Sequence, residues 1–196
     1  MWTKKIITAV CVSGLVLLGG CTDKPSEEEV KNVLSSRMDG PSCLSSIMFE
    51  KFPATPPAGN ESPFDALVDA GLLTKQDRAY SLTSSGSSAY SEAEKGFCYS
   101  QGFEVSQIKE IEEYKGEMGA AVNKAWTVTA EIRQKPVAEW AKTEAIKALA
   151  DRHITALSET PKRYVVIVGT LKTKDGLQLL DPSFSISRGF SAPMGW

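Results

Sequence analysis

The chain has 196 residues, 42% of them hydrophobic and 23% charged, and its 22 basic and 24 acidic residues leave a formal charge of −2. This is the composition of a folded globular protein. It excludes a disordered polyelectrolyte and offers no bulk attraction for nucleic acid or anionic lipid.

The first twenty-one residues carry Trp2, the basic pair Lys4 and Lys5, an apolar run over residues 6–18, and a break at Leu18-Gly19-Gly20-Cys21. The run is too short for a stable transmembrane span. Thr8, Ser13, Gly14 and the two glycines also weaken it as an uncleaved anchor. The head resembles the signal peptide and lipobox of Gram-negative bacterial lipoproteins. That resemblance implies cleavage between Gly20 and Cys21, diacylation of the Cys21 sulfur with palmitate-type chains, and acylation of the new amino terminus. Several acyl chains together hold a protein at a membrane far more firmly than one. Thr22, where an aspartate would signal retention at the inner membrane, implies sorting to the outer membrane, facing the periplasm; Asp23 stands one place further. The inner membrane and the cell surface are the alternative addresses.

On this reading the chain divides into a signal peptide (residues 1–20), a lipidated tether (21–25), a helical region (26–93) and an α+β sheet region (94–196). Processing leaves 176 residues, with 20 basic against 24 acidic and a net charge of −4. Cys11 leaves with the signal and Cys21 takes lipid. Cys43 and Cys98 remain, a pair expected to be bridged in an oxidising compartment. Closing a loop of roughly 55 residues removes about 4 kcal/mol of unfolded-chain entropy. The competing reading, a catalytic thiol at Cys98 working with His153, needs a free thiol.

In chain order, Ser26 and Glu29 form a capping box, with Glu27 and Glu28 at the positive end of the helix dipole. Val30, Val33, Leu34 and Met38 recur at helical spacing until Asp39-Gly40-Pro41 stops the run. Leu44, Ile47, Met48 and Phe52 predict a second short helix over 42–52. Prolines 53, 56 and 57 make a loop of 53–60. Ser62-Pro63 opens a third helix, serine as cap, with Phe64, Leu67 and Val68 on one side and Gly71 as a left-handed stop.

Leu67-Val68-Asp69-Ala70-Gly71-Leu72-Leu73, then Tyr80-Ser81-Leu82-Thr83, then Gly86 and Tyr90, resemble the recognition helix, wing and LT-x-x-G helix of winged-helix domains over residues 26–90. Thr83 is the expected cap of the helix holding Gly86. Such domains commonly bind DNA, but this helix carries Glu61, Asp65 and Asp69 and no cation, so phosphates would be repelled. The resemblance then implies a scaffold for protein contacts.

Beyond Ala93, 96–99 reads as a short strand, Val105, Ile108 and Ile111 as a second, and 115–123 as a turn. Residues 126–133 alternate, with Trp126, Val128, Ala130 and Ile132 on one face. Pro136 is expected to start a helix with Val137, Trp140, Ala141, Ala145, Ala148 and Leu149 as its stripe. It would cross the sheet, with Trp140 at the centre of the core. Residues 164–168 read as a fully apolar strand, and Asp175-Gly176 as the hairpin turn before 177–180. The fold class expected is α+β: a helical, winged-helix-like region, then a small antiparallel sheet with one packed helix.

One histidine, His153, leaves too few ligands for a usual zinc site and restricts any Ser-His-Asp triad to that position. No phosphate-binding or dinucleotide glycine motif occurs, and no twelve-residue calcium loop. The acidic residues Glu110, Glu112, Glu113, Glu131 and Glu139 offer candidates for a glycosidase pair, but a solvated surface explains them without further assumption. Trp126 and Trp140 read as core. The tail, with Phe184, Phe190, Pro193, Met194 and Trp196, either packs back or presents a docking patch. No catalytic residue, cofactor or metal is assigned. The function expected is a non-enzymatic binding or accessory role for an envelope protein partner, with no nucleic acid bound. A cell-wall hydrolase or its modulator, and an immunity or exclusion lipoprotein, are the alternatives.

Overall fold

A computed structural model describes residues 24–193; Cys21 lies outside them. The fold is α+β, with two hydrophobic cores. Helix α1 (Glu27–Ser35) starts at the predicted capping box: the Glu29 N–H donates to Ser26 Oγ at 3.2 Å, and the Ser26 N–H donates to the Glu29 carboxylate at 2.8 Å. These bonds satisfy helix-end donors that water would otherwise serve, and the backbone and hydroxyl of Ser26 hold the Glu29 carboxyl below its usual range.

The expected helix over 42–52 is instead strand β1 (Ser42–Ser45) followed by a 3-10 turn, Ile47–Phe49. Ser46, extended, ends the strand and caps the turn by accepting from the Met48 N–H. Leu44 and Phe49 are buried, while Ile47 is 72% exposed. Pairing with a distant strand has overridden a local helical spacing that only four residues supported.

After the 53–60 loop, α2 (Ser62–Asp69) begins with Ser62 already helical; Glu61 takes the cap position and makes no side-chain cap bond. Gly71 adopts φ +75° and stops the helix as expected. Strands β2 (Leu73–Gln76) and β3 (Ala79–Leu82) form an antiparallel hairpin, and α3 (Ser84–Ala89) follows. Thr83 caps α3 by accepting from the Gly86 N–H at 2.9 Å, and its own hydroxyl donates to the Gly71 carbonyl at 2.8 Å. A Cβ at Gly86 would run into the Leu72 carbonyl, so this helix can lie on the hairpin only through a glycine.

Strands β4 (Tyr90–Ser91) and β5 (Gly96–Ser100) bring the chain back to β1. Then β6 (Phe103–Glu113) and β7 (Val122–Gln134) begin a second sheet. The alternation predicted in β7 holds, with Trp126, Val128, Ala130 and Ile132 all buried.

No helix starts at Pro136. The chain stays extended to Ala138, makes a 3-10 turn at Glu139–Lys142, and only then forms α4 (Glu144–Ala150), followed by a second 3-10 turn, Asp151–Leu157. Tertiary bonds tie this stretch to the rest of the fold: Val137 N–H donates to the Glu159 carboxylate at 2.9 Å and Ala138 N–H to the Tyr99 carbonyl at 2.8 Å. Val137, Ala141, Ile146, Leu149 and Ala150 are the buried residues of 136–150. Ala148 is exposed, and Trp140 sits half-buried at the margin, not at the centre of a core.

Strands β8 (Lys162–Leu171) and β9 (Lys174–Leu179) complete the antiparallel order β6-β7-β8-β9. In β8, Val166 and Val168 point into the core while Val165 is 61% exposed, so this apolar run has one buried face and not two. The β8–β9 turn is Lys172-Thr173; Asp175-Gly176 lies within β9, where the register shifts. Strand β10 (Gly189–Ser191) returns to pair with β1 in parallel, giving a first sheet of order β10-β1-β5-β4.

The helices cover these layers in an order the linear pattern did not give. Helix α1 packs on the β6–β9 sheet, its Val30 and Leu34, with Met38 in the turn that follows, joining Ile108, Ile111, Val128, Val166 and Val168 in one core. Helix α4 packs against α2 within the other core, with Phe49, Phe64, Leu67, Tyr80, Phe97 and Tyr99. The sheet therefore has its one packed helix, but it is α1. The tail packs back as far as Ala192: Phe190 is buried in the α2–α4 core and Phe184 stacks edge-on against Tyr164.

Candidate functional site

Among the described residues, buried side-chain polar atoms without a hydrogen-bond partner occur at Ser42, on β1, and at Gln134, where the two cores meet. Strand β7 carries Trp126, Val128, Ala130 and Ile132 inward, and the same parity puts Gln134 inward too. The end of the strand is pinned on the far side. Lys135 N–H donates to the Gly102 carbonyl at 2.9 Å, and the Ser100 hydroxyl donates to the Lys135 carbonyl at 2.9 Å. Gln134 is 2% exposed, and neither its Oε1 nor its Nε2 has a hydrogen-bond partner in the protein. An unpaired buried amide is costly, about 1–3 kcal/mol.

Gln134 lines a cavity of about 150 Å³. Phe103, Ile132, Tyr164 and Ile186 supply its apolar walls, and the 3-10 turn and the stretch after it supply a polar rim. His153 belongs to that rim and is exposed. The rim is held in place by Glu159, whose carboxylate accepts from the Val137 N–H and lies 3.3 Å from the Lys142 ammonium. Those two donors, the backbone one first, hold Glu159 below the usual carboxylate range. Beside the cavity, burial pushes the Tyr99 hydroxyl up to about 12, with the nearby Gln134 amide acting in the opposite sense. The Tyr99 hydroxyl donates to the Ala156 carbonyl at 3.1 Å. It does not meet hydrogen-bond geometry with Gln134.

The residues singled out from sequence fall elsewhere. Cys43 and Cys98 are opposite one another on β1 and β5 and are joined as a disulfide. Cys98 is thus no free nucleophile. Glu131 lies 3.3 Å from Lys109, and Glu139 lies 2.8 Å from Lys142. Glu110, Glu112 and Glu113 are exposed along the edge strand β6, where charge deters pairing with another sheet. None of these forms a catalytic set. Trp126 is a buried member of the sheet core. Among the described residues no group of three or more His, Cys, Asp or Glu could hold a metal ion, and no helix is long and apolar enough to cross a membrane. On α2, Asp65 accepts from Lys75 at 2.9 Å and from the Tyr80 hydroxyl at 2.7 Å.

The sequence did hold a sign of Gln134: a polar residue at the inward parity of an otherwise apolar strand face. Ending the strand at Arg133, before Lys135-Pro136, hides it. No protein-family model matches the chain, and no curated protein or solved structure matches it either.

Proposed function

We propose that the chain is a membrane-anchored envelope lipoprotein, lipidated at Cys21, that serves a periplasmic or outer-membrane protein partner in a binding or accessory role and not as an enzyme. The observation that carries this is the cysteine arrangement. One cysteine follows a short apolar run at Leu18-Gly19-Gly20, and the two that lie within the folded part are consumed in a disulfide. A paired disulfide suits an oxidising compartment, and a lone thiol after small residues suits lipid attachment.

The order helix α2, hairpin β2–β3, helix α3 with its Thr83 cap supports a winged-helix-like scaffold within the first core. Its acidic helix, with Asp65 engaging Lys75, favours protein over phosphate as the surface it meets. Metabolic labelling with an alkyne palmitate is the test. Wild type should be labelled and sediment with membranes, and Cys21→Ser should lose both properties. Equal labelling of the two would reject the lipoprotein reading.

A further inference from the structure

We propose that the end of the β6–β9 sheet carrying the β6–β7 loop rests on a layer of zwitterionic phospholipid headgroups, so that the aromatic core stands away from the membrane. The inference rests on the lipidation of Cys21 proposed above. The path of the chain sets the contact. Lys24 lines one hollow with Tyr114, Met118 and Trp126, where β6 gives way to the loop. Three residue steps separate Lys24 from Cys21, and a fully extended chain covers at most about 11 Å in that number. A headgroup layer is itself roughly 5–7 Å thick. Acyl chains on Cys21 therefore keep Lys24, and the loop beside it, at the membrane boundary.

The long elements lead away from that boundary. Strand β7 runs from the loop over 13 residues, about 40 Å at the usual rise, to Gln134 where the two cores meet. The chain of α1 follows the same course: the Met38 and Gly40 carbonyls lie against Gly102, which the Lys135 N–H bonds just past the end of β7. The β8–β9 turn joins the loop at the lipid end, the Lys172 N–H donating to the Ala121 carbonyl at 2.9 Å. Surface chemistry at this end agrees with a headgroup layer. Met118, within the loop, is 48% exposed, and half-buried Tyr114 presents the apolar body and polar tip that suit an interface. Lys24, Lys115 and Lys172 share the end with Glu27, Glu113 and Glu117, all exposed. Both signs together match the phosphate and ammonium of zwitterionic headgroups and give no preference for an anionic surface.

The test uses the full lipidated chain in vesicles of phosphatidylethanolamine and phosphatidylcholine, part of the latter spin-labelled on its headgroup. Met118→Cys and, at the opposite end of the sheet, Thr160→Cys each receive a fluorescent maleimide, with the 43–98 bridge intact. Quenching of the Met118→Cys dye at least threefold stronger than that of the Thr160→Cys dye is expected. Equal quenching at the two positions, or none at Met118→Cys, in protein that floats with the vesicles would overturn the proposal and leave the lipid anchor standing. Protein that floats no better than Cys21→Ser would overturn the anchor, and this orientation with it.

Discussion

The two cores are built from different side chains, and the one around β1 and β5 is the larger. Around β1 and β5, rings meet at close, mostly edge-on angles: Phe49 against Phe64 at 5.1 Å and 84°, Phe49 against Phe97 at 5.6 Å and 80°, Phe52 against Tyr90 at 5.2 Å and 85°. Under the β6–β9 sheet the partners are aliphatic, and Trp126 is the one buried ring. The first region is assembled from short elements far apart in sequence, held by ring contacts and by the 43–98 disulfide. The second is a meander of strands as long as 13 residues, each pairing with its chain neighbour. Short, dispersed elements close few hydrogen bonds per segment and must be fixed by large side chains and a covalent link. Long sequential strands secure their own register.

The sharpest way to break this comparison is to remove a ring. Phe49 is fully buried and meets three other phenylalanines. Phe49→Ala should cost about 3–5 kcal/mol in denaturant unfolding, and Leu34→Ala on α1 should cost less. A larger loss from Leu34 would show the aliphatic core to be the stronger one.

Removing the staple comes next. Replacing Cys43 and Cys98 together by serine should cost about 4 kcal/mol, from a loop whose ends are 55 residues apart. Hydrogen exchange should then speed up in β1, β5 and β10 while β7 and β8 amides keep their protection. Uniform loss of protection would merge the two regions into one cooperative unit.

The smallest effect is electrostatic. Lys75 first, and the Tyr80 hydroxyl second, hold the Asp65 carboxyl below its usual range. A depressed carboxylate contributes stability above its unfolded value, and that contribution is lost as pH falls through the folded one. Asp65 and Lys75 are both substantially exposed, so screening limits the contribution to about 0.2–1 kcal/mol. Asp65→Asn should flatten the acid limb of the stability curve by that amount, and added salt should shrink the difference; no change between pH 5 and 2 would discount the pair.

Local signals were readable wherever a few neighbouring residues decide the outcome. The Ser26–Glu29 box, the Thr83 cap, the Gly71 stop and the alternation of 126–132 each rest on contacts within a turn or a strand. The failures share a cause as well. Residues 42–52 and 136–150 show apolar spacings compatible with a helix, but their backbone groups pair with segments more than 20 residues away in sequence. That α1 covers the distant sheet while α4 turns to α2 has no signature in either helix, since an apolar stripe does not specify its partner. Gln134 was legible in parity alone; its missing partners and its cavity emerge only once Phe103, Tyr164 and Ile186 are brought round it.

Strand β10 gives the molecule a sense of completion. Gly189, at φ +92°, lies so close to the Cys43 backbone that a Cβ would strike the Cys43 carbonyl, and the next residue, Phe190, fills the aromatic core. About three-quarters of the sequence lies between the two strands that meet there. A polypeptide released before Gly189 would have its sheet meander complete, yet would expose the edge of β1 and an unfilled aromatic pocket. Closure of the first region thus waits on its last strand, and a product cut before Gly189 advertises itself as unfinished to any protease that surveys exposed strands.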